Sequence, residues 1–163
     1  MSSHDLKAAD IVEVITHVHQ GAIDVLGPVV NPETVHQAKF SMGTVLGIIA
    51  QHGVAGVNEF EAYYKDAAVA DLRVRVKMAL DAEVDGAYPA RWIGKVTVHT
   101  RDGRVLHGRV DEPKGDPGNT LSRPELEYKA LALARFGGAA TEAEMQGLFK
   151  LVWNMTSLER VGK

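Results

Sequence analysis

The chain has no cysteine. Disulfides, iron–sulfur clusters and thiol nucleophiles are thereby excluded, and the absence fits a reducing compartment. Nor is there a surplus of positive charge: 18 Lys and Arg against 21 Asp and Glu give a formal −3. That balance argues for no nucleic-acid partner and no anionic membrane surface. No apolar run approaches the roughly 20 residues that a membrane-spanning helix needs. The opening residues, MSSHDLKAADIVEV, carry charge where a signal peptide would have its apolar centre. A cytoplasmic protein is the expectation. Internal repeats and low-complexity tracts are also missing.

What is present is 163 residues of ordinary globular composition, 45% hydrophobic and 24% charged. A chain of that length is about one domain and buries roughly 70% of its unfolded surface. Residues 31–53, NPETVHQAKFSMGTVLGIIAQHG, read as one long helix around which the rest is arranged. Asn31 can cap it, Pro32 suits the first helical position, and Gly53 supplies a left-handed stop. Its second half is apolar all round, the pattern of a helix covered on every side. Gly43 and Gly47 lie four apart, leaving a stripe without side chains where another backbone can approach. Lys39 and Ser41 stand just before the apolar half. A lone ammonium there must reach water, pair, or meet an anionic ligand, and reaching water is the ordinary outcome.

The other elements follow in order. Residues 10–19 alternate as a half-buried strand, with Val12, Val14, Thr16 and Val18 on one face. Residues 21–30 read as a connection punctuated by Gly27-Pro28. Residues 57–64 form a short helix, and 66–72 add a turn or two. From Leu72 to Leu80, apolar residues alternate with Arg73, Arg75 and Lys77, the pattern of a strand with one cationic face. Residues 81–89, DAEVDGAYP, read as an acidic turn. Residues 95–100 and 104–110 flank Asp102-Gly103 as a hairpin. A three-residue loop with Gly103 left-handed pairs Val98 with Leu106 and keeps the apolar set on one face. Residues 112–119, EPKGDPGN, must be loop. Ser122…Glu125 and Thr141…Glu144 are capping-box spacings that each start a helix. The expected fold is α+β: a mostly antiparallel sheet of about four strands packed against the long central helix, with two C-terminal helices.

No constellation in this order defines a reaction. Seven histidines invite a metal, yet no His-x-x-x-His lies on a helix and no carboxylate cluster completes a site. Arg73, Arg75 and Lys77 can bind a phosphate or carboxylate, but a solvated face paired with Glu13 or aspartates is the simpler reading. Lys114-Gly115 lacks the rest of a phosphate loop. Ser41 with His36 or His52 makes no defensible nucleophile–base pair.

Several stretches do resemble a known family. VHQAKFSM at 35–42 is similar to the "E-A-K-F-S-L" opening of the lid-domain helix in the MmgE/PrpD family. AYPARW at 87–92, KVTV at 95–98 and RDGR at 101–104 resemble its "YPARW…KVTV…DGR" section. PKGDPGNTLS at 113–122 resembles its "PKGDPxNPLS" loop, followed by a helix with Lys129. The resemblance covers about 11–153, in order. The family includes 2-methylcitrate dehydratase, cis-aconitate decarboxylase and iminodisuccinate epimerase. It implies small polycarboxylate substrates and no metal or organic cofactor. It implies that Lys39 faces a cleft and binds or polarises the substrate, with Ser41 hydrogen-bonding beside it. Two departures stand out: Gly43-Thr44 replaces a common Pro-Tyr, and the large helical domain that carries most of the family's chemistry has no counterpart here.

The expectation is therefore a single α+β domain over 1–163, the lid portion of a polycarboxylate lyase or isomerase. No catalytic residue is assigned, and the chain is expected to be inactive without a helical-domain partner. The alternative is a non-enzymatic interaction or regulatory module; homo-oligomerisation is expected in either case. A third reading is a small-ligand site on the Arg73, Arg75 and Lys77 face.

Overall fold

A computed structural model describes residues 4–160, which fall into two compact units meeting at Asn119 and Thr120. The first unit holds a four-stranded sheet in the order β2-β1-β3-β4. Its strands are β1 (Ile11–Val18), β2 (Val76–Leu80), β3 (Gly94–Thr100) and β4 (Val105–Val110). β1 pairs antiparallel with β3, and β3 with β4, but β1 pairs parallel with β2. The sheet is thus mixed rather than mostly antiparallel. Periodicity within β2 says which face is apolar; it carries no information on strand direction, which the helical crossover from β1 decides.

That crossover is α1 (Gln20–Leu26), α2 (Val35–Lys39), α3 (Met42–His52), α4 (Val57–Tyr63) and α5 (Ala67–Arg73). The expected long helix is two helices, so no single long element organises the fold. Thr34 rather than Asn31 caps α2, and Ser41 caps α3 by accepting from the Thr44 N–H. Serine competes with a helical backbone for its own hydrogen bonds and so favours a new start over continuation. Gly53 does end α3 in the left-handed region, at φ 83°.

Three further expectations shift. Residues 20–26, read as connection, are helical because His19 Nδ1 accepts from the Ala22 N–H as a cap. Residues 72–75 are not strand: Asp66 accepts from the Ala68 and Val69 N–H groups and starts α5, which runs to Arg73. Asp81 likewise caps α6 (Ala82–Ala87) within the stretch read as an acidic turn. A short polar cap starts a helix in each case.

The hairpin register is as expected, with Val98 opposite Leu106 and Gly103 at φ 82°. β1 carries an irregularity between Ile11 and Glu13. One extra residue there turns Val12 outward, 49% exposed, and puts Ile11 inward instead. The core of this face joins Leu6, Ile11, Val14 and Leu72, with Leu46 and Ala50 of α3 packed against it. A second cluster of Ala38, Ile48, Phe60 and Val69 binds the helices together.

The second unit is a helical pair, α7 (Arg123–Gly137) and α8 (Glu142–Trp153), both starting at the expected capping boxes. Ala134, Met145 and Phe149 form its small core. Trp153 Nε1 donates to Glu127 at 2.6 Å.

Candidate functional site

The glycine stripe decides what surrounds the start of α3. A Cβ on Gly43 would lie 2.7 Å from both Cγ and the carbonyl oxygen of Arg73, and one on Gly47 would lie 2.9 Å from the Val69 carbonyl oxygen. α5 therefore packs backbone-close along α3, and the Arg73 stem crosses the first turn of α3. A cavity of about 160 Å³ opens there, with Ser41, Met42, Gly43 and Arg73 among its lining residues.

Ser41 is 1% exposed. Its Oγ accepts from the Thr44 N–H at 3.4 Å and from the Thr44 hydroxyl at 3.0 Å. Sequence reasoning placed Ser41 as a hydrogen-bonding group and missed this capping duty. Lys39 ends α2, where a cation suits the carbonyl end of the helix. Its side chain is exposed, and its ammonium has no hydrogen bond or ion pair among the described residues. It lines none of these cavities, whereas Ser41 lines the small one at α3.

Arg73, Arg75 and Lys77 do not share a face. Arg73 ends α5, and its Nη2 donates to the Asn31 side-chain oxygen at 3.4 Å. Its Nε is buried with no partner among the described residues. Arg75 lies in the turn before β2, donates to the Ile11 carbonyl at 2.7 Å and pairs with Asp71. Lys77 pairs with Glu13, whose carboxyl that bond holds below its usual range. Pairing with Glu13 and an aspartate, the simpler reading, is what Arg75 and Lys77 display.

The polar face of the sheet holds two arrays. His17 Nε2 meets Thr97 Oγ1 at 2.9 Å, and Thr97 Oγ1 meets His107 Nδ1 at 3.2 Å. One threonine hydroxyl thus links imidazoles from β1 and β4 across β3. Beside it, Lys95 contacts Asp81 at 2.9 Å and Glu83 at 2.6 Å, while Arg109 contacts Glu83 at 2.7 Å and Asp111 at 2.8 Å. The Arg109 bond, then that of Lys95, pulls the Glu83 carboxyl down to about 2. Glu83 and Asp81 in turn raise Lys95. These groups satisfy one another, so their arrangement is that of a structural clamp between α6 and the hairpin. Among the described residues, no three His, Asp or Glu groups are placed to hold a metal ion.

The other face of β3 and β4 is only partly covered: Val96, Val98 and Leu106 pack against the core, and Val110 is exposed. Two open troughs of about 770 and 400 Å³ run along it and share Val96 and Gly108. Their walls are mostly apolar, with Trp92 and Val110 more than half exposed. Arg91, Lys95, Arg109 and Lys114 stand along the larger trough, and Arg73 stands at the small cavity at α3.

The C-terminal domain model of the MmgE/PrpD family matches residues 1–155. The chain belongs to the MmgE/PrpD family. Its match is to that family's C-terminal domain, and it spans nearly the whole sequence, including both the α3 region and the capping-box helices. No curated protein matches the chain.

Proposed function

We propose that this chain is the lid portion of an MmgE/PrpD-type lyase or isomerase acting on small polycarboxylates such as 2-methylcitrate or cis-aconitate. The observation that carries the reading is the open, mostly apolar trough along the partly covered face of β3 and β4, lying in the same unit as the unpaired cation Lys39. Monomeric proteins rarely leave a contiguous apolar surface of this kind without a partner. In this reading a helical domain closes over the trough and supplies the acid and base groups. Lys39 meets a substrate carboxylate at the junction and stabilises the charge that develops when a neighbouring proton is removed. The chain alone turns over nothing.

Co-expression with a helical-domain partner, assayed on 2-methylcitrate and cis-aconitate, tests this. The expected result is turnover by the assembly, none by the isolated chain, and a loss of at least about 100-fold with Lys39→Ala, the scale of one charge-stabilising donor. Turnover by the chain by itself would overturn the division of labour.

A second reading is a non-enzymatic interaction module, and the same open trough favours it equally. Tight assembly with a helical partner but no turnover on either acid would select it.

A further inference from the structure

We propose that the cavity at the start of α3 binds one carboxylate group of a small di- or tricarboxylate, held by the Arg73 guanidinium and the Ser41 hydroxyl. The ligand class rests on the functional reading above; the site itself rests on the cavity and its unsatisfied donors. Arg73 brings a full positive charge into a partly buried position, and none of the described carboxylates pairs with it. Its one neutral acceptor, Asn31, stands at 3.4 Å, and Nε has none. A guanidinium in this position can take a carboxylate through two parallel N–H bonds. The Ser41 hydroxyl, 1% exposed, shares one bond with the Thr44 hydroxyl at 3.0 Å and can turn its proton to a ligand oxygen when Thr44 donates. The Met42 and Gly43 amides, in the first turn of the 11-residue α3, have no intrahelical acceptor and favour an anion at the same place.

Size and wall chemistry select the anion. The cavity of about 160 Å³ is roughly five waters at ~30 Å³ each. Its remaining walls include Leu26, Val30 and Met78. A carboxylate needs donors on one side only and can lay its carbon arm against such walls. Phosphate needs donors around every oxygen, and the apolar side offers none. Gly43 is the residue that makes the site possible, because any side chain there would drive Arg73 off the helix turn.

The test is a 1H–15N NMR titration of the full chain with tricarballylate, a saturated tricarboxylate, with inorganic phosphate in parallel. Shifts are expected to concentrate at the Met42 and Gly43 amides and at the Arg73 Nε–H. Arg73→Met, which keeps the stem and loses the charge, should weaken binding at least tenfold. Phosphate should bind at least tenfold more weakly than tricarballylate. Shifts centred elsewhere, unchanged affinity in Arg73→Met, or equal affinity for phosphate would each overturn the proposal. If Arg73→Met fails to fold, the wild-type shift map decides alone. The two readings fail separately: these shifts with no turnover in any assembly keep the subsite and remove the enzyme. Turnover with an unaltered KM in Arg73→Met does the reverse.

Discussion

Gly47 of α3 lies against Val69 of α5 so closely that a Cβ on Gly47 would sit 2.9 Å from the Val69 carbonyl oxygen. One turn earlier Gly43 meets Arg73 in the same way. Both obstacles include backbone, which cannot rotate aside. Gly47→Ala and Gly43→Ala therefore destabilise the first unit, although alanine favours helix by up to ~1 kcal/mol. Overpacking costs about 1–3 kcal/mol and wins. Urea denaturation of the two variants should show a lower midpoint for each; a raised midpoint would mean that the helices can part without loss.

Ser41 and Lys39 separate by mechanism. Ser41→Ala removes the cap and leaves the buried Thr44 N–H and hydroxyl without an acceptor, at a cost of about 1–2 kcal/mol. Lys39→Ala removes an exposed, unpaired side chain and should change stability by less than ~0.5 kcal/mol. Thermal unfolding of both, beside ligand titrations, tells a binding effect from a folding one. Equal destabilisation would give Lys39 a structural role that its position does not show.

The clamp around Glu83 predicts an acid-dependent stability. Its carboxyl titrates near 2 in the folded chain against 4.5 for the free group, chiefly through Arg109 and then Lys95. The unfolded chain binds the proton first, so this stability is fully present above about 4.5 and is lost as pH falls toward about 2. Denaturation midpoints across that window should fall less steeply in Glu83→Gln. The difference should shrink in high salt, since these groups lie near the surface. Identical slopes would show that the clamp is not formed in solution.

Core and trough should respond in opposite ways. Ile48, 0% exposed among the helices, should cost about 2–5 kcal/mol as Ile48→Ala. Val110 is half exposed at the edge of the open trough, so Val110→Glu should leave the isolated chain within ~0.5 kcal/mol of its stability. The same change buries a charge in any complex that covers the trough, and should weaken assembly with a helical partner at least tenfold. Unchanged assembly would place the partner elsewhere.

What the sequence determined alone was local. The boxes at Ser122 and Thr141, the left-handed stop at Gly53 and the Asp102-Gly103 turn each involve residues within four positions, so their hydrogen bonds are fixed by spacing. The hairpin register followed because a slip would have turned its apolar set to water. The Gly43 and Gly47 stripe was legible as a close approach, but its partner was not. Family membership was legible because it is a property of residue order.

Tertiary structure decided the rest. Val74 alternates as well in a strand as it lies in the turn after α5, and only the Asp66 cap and the packing of Val69 and Leu72 choose the helix. The parallel pairing of β1 with β2 joins segments about 60 residues apart, beyond any local pattern. The long-helix expectation failed at Ser41 because a buried hydroxyl bonding Thr44 outweighs one more turn of continuous helix. Arg73 illustrates the same physics at the candidate site: periodicity put it on a strand among cations, whereas α5 carried it to the start of α3, where its charge stands beside a cavity.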